Sequence, residues 1–247
     1  MTALILALVA GGVIGLALGG LGGGGSVLAV PALIYLVHFT PAQATTAGLV
    51  IVSLTSVTAL VGHARDGNVV WRTGLLFAAA GIVPAVIAGA AAGRLPDALL
   101  TVAFAAVAAL AAVRMLRPAN TGLPGPVDPR KAGAAGAGLG TVTGFLGVGG
   151  GFLAVPALVG VLGLPMRRAV GTSLLVITIN SMAALTARAG SGAHLDWAVV
   201  APFTAAAVLG AWDGKRLAQR LKGRTLQRVF AYALLAVAAL MLVDALF

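Results

Sequence analysis

The chain has 247 residues, 60% of them hydrophobic and 9% charged, and its mean hydropathy is +1.06. Soluble domains carry about a quarter charged residues, so this composition cannot cover a water-facing surface and excludes the ordinary soluble classes. The formal net charge of +10 then reads as loop charge facing anionic lipid headgroups on the cytoplasmic side and not as a nucleic-acid surface; the lack of cysteine excludes disulfides and thiolate metal sites.

In chain order, apolar segments fall near 3–20, 26–38, 43–62, 73–93 and 97–116. The first charged side chain is Arg65, so the basic region of a cleavable signal is missing and the first segment is expected to stay in the mature chain. Residues 118–131, with Pro118, Pro124, Pro126 and Pro129, are expected to form a cytoplasmic linker. A second series follows near 132–147, 151–163, 169–188, 197–213 and 226–246. The longer segments suit a bilayer core, which needs ~20 helical residues. Those at 26–38 and 151–163 are about 13 residues long, too short to span, and read as half-helices.

Each short segment is preceded by a glycine cluster. Gly22-Gly23-Gly24-Gly25-Ser26-Val27-Leu28-Ala29-Val30-Pro31 recurs as Gly147-Val148-Gly149-Gly150-Gly151-Phe152-Leu153-Ala154-Val155-Pro156. Ala44–Ser56 aligns on Ala169–Ser181 without gaps, Pro41 corresponds to Pro165, and Trp71 to Trp197. The order of features indicates an internal duplication with a first transmembrane repeat over 1–117 and a second over 132–247.

The fold expected is all-α integral membrane: two inverted repeats, each of about four to five helical segments including a glycine-broken or re-entrant pair. With both termini outside, 14 of the 16 Lys and Arg residues fall in inside loops, as the positive-inside rule requires. Each repeat then has an odd number of crossings, and the copies point in opposite directions. Whether the glycine-broken pairs are hairpins or full crossings stays open, since the parity is the same.

Two broken helices, one per half, are the sequence pointer to a transporter site. At Gly24, Gly25 and Ser26, and at Gly149, Gly150 and Gly151, a half-helix begins. Its first amides lack internal partners and the dipole makes that end positive, which suits an anion. Close helix packing is the competing use of the same glycines. Hydroxyls and an amide lie in the paired segments at Thr45, Thr46, Ser53, Thr55 and Ser56, and at Thr172, Ser173, Thr178, Asn180 and Ser181. Of these, Thr55, Thr172, Ser173 and Asn180 are the expected substrate contacts, with hydrogen bonding between helices as the alternative. His63 and Arg65 lie in an inside loop, where they either gate an incoming anion or anchor the loop at the headgroups beside Trp71. The run from Lys215 to Arg228 reads as a lipid-facing topological anchor. No pattern calls for a cofactor or metal.

The duplicated glycine-proline element, Gly171-Thr172-Ser173-Leu174, and Gly62-His63 with Gly67-Asn68-Val69 and Trp71 together resemble the sulfite exporter TauE/SafE family, also called the TSUP permeases. The likeness covers nearly the whole chain. It departs at Ala47-Gly48-Leu49, where Thr-Ser-Leu is usual, and at Val70, where Asp is usual before Trp71; Asp196-Trp197 keeps that pair. The resemblance implies a multi-pass permease of the bacterial inner membrane that carries a small organosulfur or organic anion such as sulfite or a sulfonate. The rival functions are an accessory or scaffold membrane subunit and an intramembrane enzyme. A nucleophile with a base in reach at membrane depth is not visible in the sequence. The anion, its direction, the coupling ion and the oligomeric state, a homo-oligomer included, are left open.

Overall fold

The computed structural model describes residues 2–92, 97–116, 128–145, 151–188 and 195–246. Among them lie ten helices and no strand: α1 (Thr2–Leu21), α2 (Gly24–Tyr35), α3 (Pro41–Arg65), α4 (Trp71–Ala92), α5 (Asp97–Leu116), α6 (Pro129–Phe145), α7 (Gly151–Gly160), α8 (Met166–Arg188), α9 (Trp197–Arg220) and α10 (Gly223–Leu246). Within the described residues, four stretches are long and apolar enough to cross a membrane: Gln43–Arg65, Trp71–Ala88, Met166–Thr186 and Trp197–Arg220. The protein is all-α and membrane-embedded. Val83, Val86 and Ile87 on α4 and Leu209 on α9 are exposed, as side chains facing lipid must be.

Helix starts follow local chemistry. Thr40 and Gln43 form a reciprocal capping box at α3, with Pro41 in the first turn, which satisfies two otherwise orphan amides. Asp196 caps α9 by accepting from the Ala198 amide at 3.0 Å. Two helices run further than their hydropathy indicates. α3 continues through His63 to Arg65, and α9 continues past Asp213 to Arg220. No glycine-proline break interrupts either extension, and Lys, Arg, Leu, Ala and Gln are good helix formers.

α1 packs along α9, α6 along α4, α3 against α8, and α5 against α10. The short helices fit beside them, α2 on α1 and α3, α7 on α8. Approach is closest where glycine removes the side chain. A Cβ on Gly11, Gly15 or Gly19 would run into the carbonyl oxygen of Phe203, Ala207 or Ala211. On the other pair, a Cβ on Gly136 or Gly140 would run into that of Phe77 or Gly81. In both pairs the numbers rise together, so α1 is parallel to α9 and α6 to α4. Small residues at such seams let membrane helices gain dispersion contacts where lipid offers no hydrophobic drive. Phe77, Phe152, Phe203 and Phe230 fill the interior.

Candidate functional site

α1 stops at Leu21. The Gly22 amide still donates to the Leu18 carbonyl at 2.9 Å, but Gly22 has φ +79, a left-handed backbone that ends the helix and favours glycine. Gly23 follows, and α2 starts at Gly24 without a side-chain cap. A Cβ on Gly22 would lie 2.5 Å from Ser173 Oγ and 3.2 Å from Val155 Cγ2. A Cβ on Gly23 would run into the Gly151 carbonyl oxygen and lie 2.5 Å from Phe152 Cα. The break before α2 therefore touches the first residues of α7 and the second turn of α8. Two helix amino ends, each a positive dipole end, are next to one another.

Of the residues singled out in the sequence, this places Gly151 and Ser173 at the α1–α2 break, with Gly24, Gly25 and Ser26 in the first turn of α2. Gly149 and Gly150 lie outside the described residues, as does the Ser26 side chain. Ser173 Oγ, buried, donates to the Val170 carbonyl at 2.8 Å, which leaves its lone pairs free to accept. Thr172, also buried, faces elsewhere: its Oγ1 accepts from the Val70 amide at 3.0 Å. A neighbouring helix thus supplies the acceptor for the Val70 amide. A Cβ on Gly171 would lie 2.5 Å from the Asn68 carbonyl oxygen, so the α3–α4 loop is seated on α8. Thr172→Val leaves that amide unpaired, at about 1–3 kcal/mol. Faster hydrogen exchange over 66–70 in the valine variant, with Thr172→Ser close to wild type, is the expected result.

A second polar group forms where α3 meets α8. Thr178 Oγ1 is 3.0 Å from Ser56 Oγ and 2.8 Å from the Leu174 carbonyl oxygen. Ser56 and Ser181 donate back to Ser53 and Thr178 carbonyls, at 3.1 and 3.3 Å. Thr55 is satisfied by its own helix, donating to the Ile51 carbonyl at 2.6 Å. Ser53 Oγ and Asn180 Oδ1 are buried and have no hydrogen-bond partner. A buried polar atom with no partner is costly.

The third group lies at the end of the bundle where α3 finishes. His63 is buried, not set among headgroups, and its Nε2 is 3.1 Å from the Gly19 carbonyl oxygen. Arg65, beside it, is exposed. Lys215 of α9 donates to the Gly62 carbonyl at 2.6 Å and pairs with Asp66 at 2.7 Å. Gln219 donates to Asp66 Oδ2 at 2.6 Å. Arg167 donates to the Gln219 and Leu221 carbonyls at 2.9 and 3.2 Å. Lys215 is not a lipid-facing anchor: it holds α9 to the α3 terminus. Its signal was the spacing of Lys215 and Gln219, one turn apart on the face of α9 that carries Ala211, Gly214 and Ala218. A small cleft here is lined by Gly20, His63, Asn68, Arg167, Ala218 and Gln219, among others. No cluster of three or more potential metal ligands occurs among the described residues.

Residues 7–241 match the model of a family described as "Sulfite exporter TauE/SafE". A "Probable membrane transporter protein" of Xylella fastidiosa (strain 9a5c) is 35% identical over 245 residues, covering 95% of this chain and 93% of that protein. Its counterpart in strain Temecula1 / ATCC 700964 is 35% identical over 252 residues, with the same coverage. The "Probable membrane transporter protein YunE" of Bacillus subtilis (strain 168) is 26% identical over 275 residues, 98% of this chain and 97% of that protein.

Proposed function

Because this chain belongs to the sulfite exporter TauE/SafE family, we propose that it is a secondary transporter moving a small anion, such as sulfite or a sulfonate, across the bacterial inner membrane. The observation that carries the anion site is the apposition of Gly23, at the start of α2, with Gly151, at the start of α7. Two dipole ends attract an oxyanion without a buried formal charge, which leaves it weakly enough held to depart. Ser173 lies against this point, and the Ser53 hydroxyl, whose oxygen has no partner, can donate to an oxyanion, as Asn180 can only through its Nδ2, since its Oδ1 accepts.

The inverted-repeat plan is part of the same reading, with repeats over 1–117 and 132–247 and the linker over 118–131. Its support is the exchange of neighbours: α1 lies on α9 while its counterpart α6 lies on α4, α9's counterpart. α9 ends at the cluster around His63, and α4 begins beside it, so counterpart helices run in opposite directions. Basic residues of three connections, Arg65 and Arg72, Arg167 and Arg168, and the run from Lys215, surround that end. It is the cytoplasmic end by the positive-inside rule, which puts both termini outside. Alternating access is rocking of one repeat against the other around the site.

Uptake into proteoliposomes tests the function. Radiolabelled sulfite, thiosulfate and methanesulfonate are offered to the purified chain. Saturable entry of at least one, competed by another and absent from protein-free vesicles, is expected. Equal entry with and without protein, for all three, defeats the reading.

A further inference from the structure

The geometry points to His63 as a proton-binding site that couples anion movement to the pH gradient, an inference that rests on the transport reading above. A carbonyl oxygen can only accept, so the 3.1 Å contact with Gly19 fixes the hydrogen on Nε2 and leaves the Nδ1 lone pair free. Nδ1 is buried and has no partner. A structural histidine with both nitrogens satisfied would hold its place and do nothing more; this one has an open basic atom. His63 lines the cleft, which has room for about one water molecule and whose lining mixes the polar Asn68, Arg167 and Gln219 with the apolar Val170, Ala218 and Leu226. The ring thus stands beside a water-sized cleft and keeps one basic atom with no partner.

The ring also touches the part of the fold that would move. Gly19 lies one turn before the left-handed Gly22, so the Nε2–H bond ties the end of α3 to the helix that breaks at the anion site. Facing His63 from α9 is Lys215, which holds Gly62 and Asp66. From α8 comes Arg167, at the cleft. Asp66 and Arg65 follow on its own segment. α1 presents only backbone, and α10 presents Leu226. A proton on Nδ1 gives an imidazolium beside the Lys215 ammonium, and their repulsion weakens the tie between α9 and the end of α3. An anion at the neighbouring glycine break offsets that charge. Proton and anion thus favour each other's binding, and the coupling is reciprocal. Carried on from Ala44–Ser56 and Ala169–Ser181, the alignment of the two halves sets Arg188 opposite His63, and an arginine keeps its proton.

Thiosulfate and methanesulfonate stay ionised between pH 5 and 8, so a pH gradient cannot act through their own protonation. In proteoliposomes with the potential clamped by potassium and valinomycin, a one-unit gradient is expected to sustain up to about tenfold accumulation for one proton moved per anion. His63→Gln keeps an amide donor for Gly19 but binds no proton; it should equilibrate the anion and accumulate none. Accumulation by H63Q overturns the assignment. Wild-type flux that ignores the gradient overturns it and leaves the transport reading intact, while no wild-type flux of either anion overturns both. Should H63Q not insert, the variant H38N/H194Q retains His63 alone. Its single imidazole, followed by nitrogen NMR at pH 6, should move from the Nε2–H form toward imidazolium as thiosulfate is added, and an unmoved spectrum overturns the proposal.

Discussion

Gly23→Ala is expected to cut anion flux roughly 5- to 160-fold per inserted molecule, because overpacking at ~1–3 kcal/mol converts to that range at about 1.36 kcal/mol per tenfold. The added methyl would occupy the space of the Gly151 carbonyl and of Phe152 Cα. The neighbours are backbone, so no rotamer change relieves the contact, and α2 and α7 must separate. Gly22→Ala meets two obstacles: a left-handed φ of +79, at about 1–2 kcal/mol for a residue with a Cβ, and Ser173 Oγ at 2.5 Å. The second can be relieved. Ser173→Ala in the Gly22→Ala background should recover part of the melting midpoint in detergent while leaving the backbone cost in place. Gly12→Ala, which would meet nothing within 4 Å, is the matching control. Flux and inserted protein are measured on the same vesicles; undiminished flux in Gly23→Ala would remove the glycine contact from the mechanism.

Gly15→Leu should act on the fold itself. Its Cβ would run into the Ala207 carbonyl oxygen and lie 2.7 Å from Ala207 Cα, forcing α1 away from α9 along the seam that also includes Gly11 and Gly19. Taking overpacking at ~3 kcal/mol and about 2–4 °C per kcal/mol for a chain of this size, the melting midpoint in detergent falls by roughly 6–12 °C. Gly12→Leu, three residues away on an open face, should leave it within a degree or two. Gly140→Leu repeats the experiment at the α4–α6 seam, where Gly81 backbone fills the space. If Gly15→Leu and Gly12→Leu melt together, the close seam is not what holds α1 in place.

The membrane class, the two short helices and the break before α2 were legible because they depend on local properties. Hydropathy is a property of a segment, and a run of glycine breaks a helix wherever it lies. The same locality caused the misreadings. The basic run from Lys215 marked a loop by charge, yet α9 continues to Arg220 because nothing in that stretch stops a helix. His63 read as a loop residue beside charged neighbours. Its burial comes from Gly19, 44 residues away in sequence. Thr172 was visible as a hydroxyl, but its acceptor role toward Val70 needs a loop from the other half of the chain.

By itself the sequence determined an apolar, helical, membrane-embedded chain with two short helices, since composition and periodicity decide what a bilayer will accept. Only the tertiary structure decided that Gly23 abuts the Gly151 backbone, that Ser173 rather than Thr172 faces the break, and that Lys215 and His63 close around one end. Those are distances between parts of the chain far apart in number. They are set by how helices with small residues settle against one another, and no single segment contains that information.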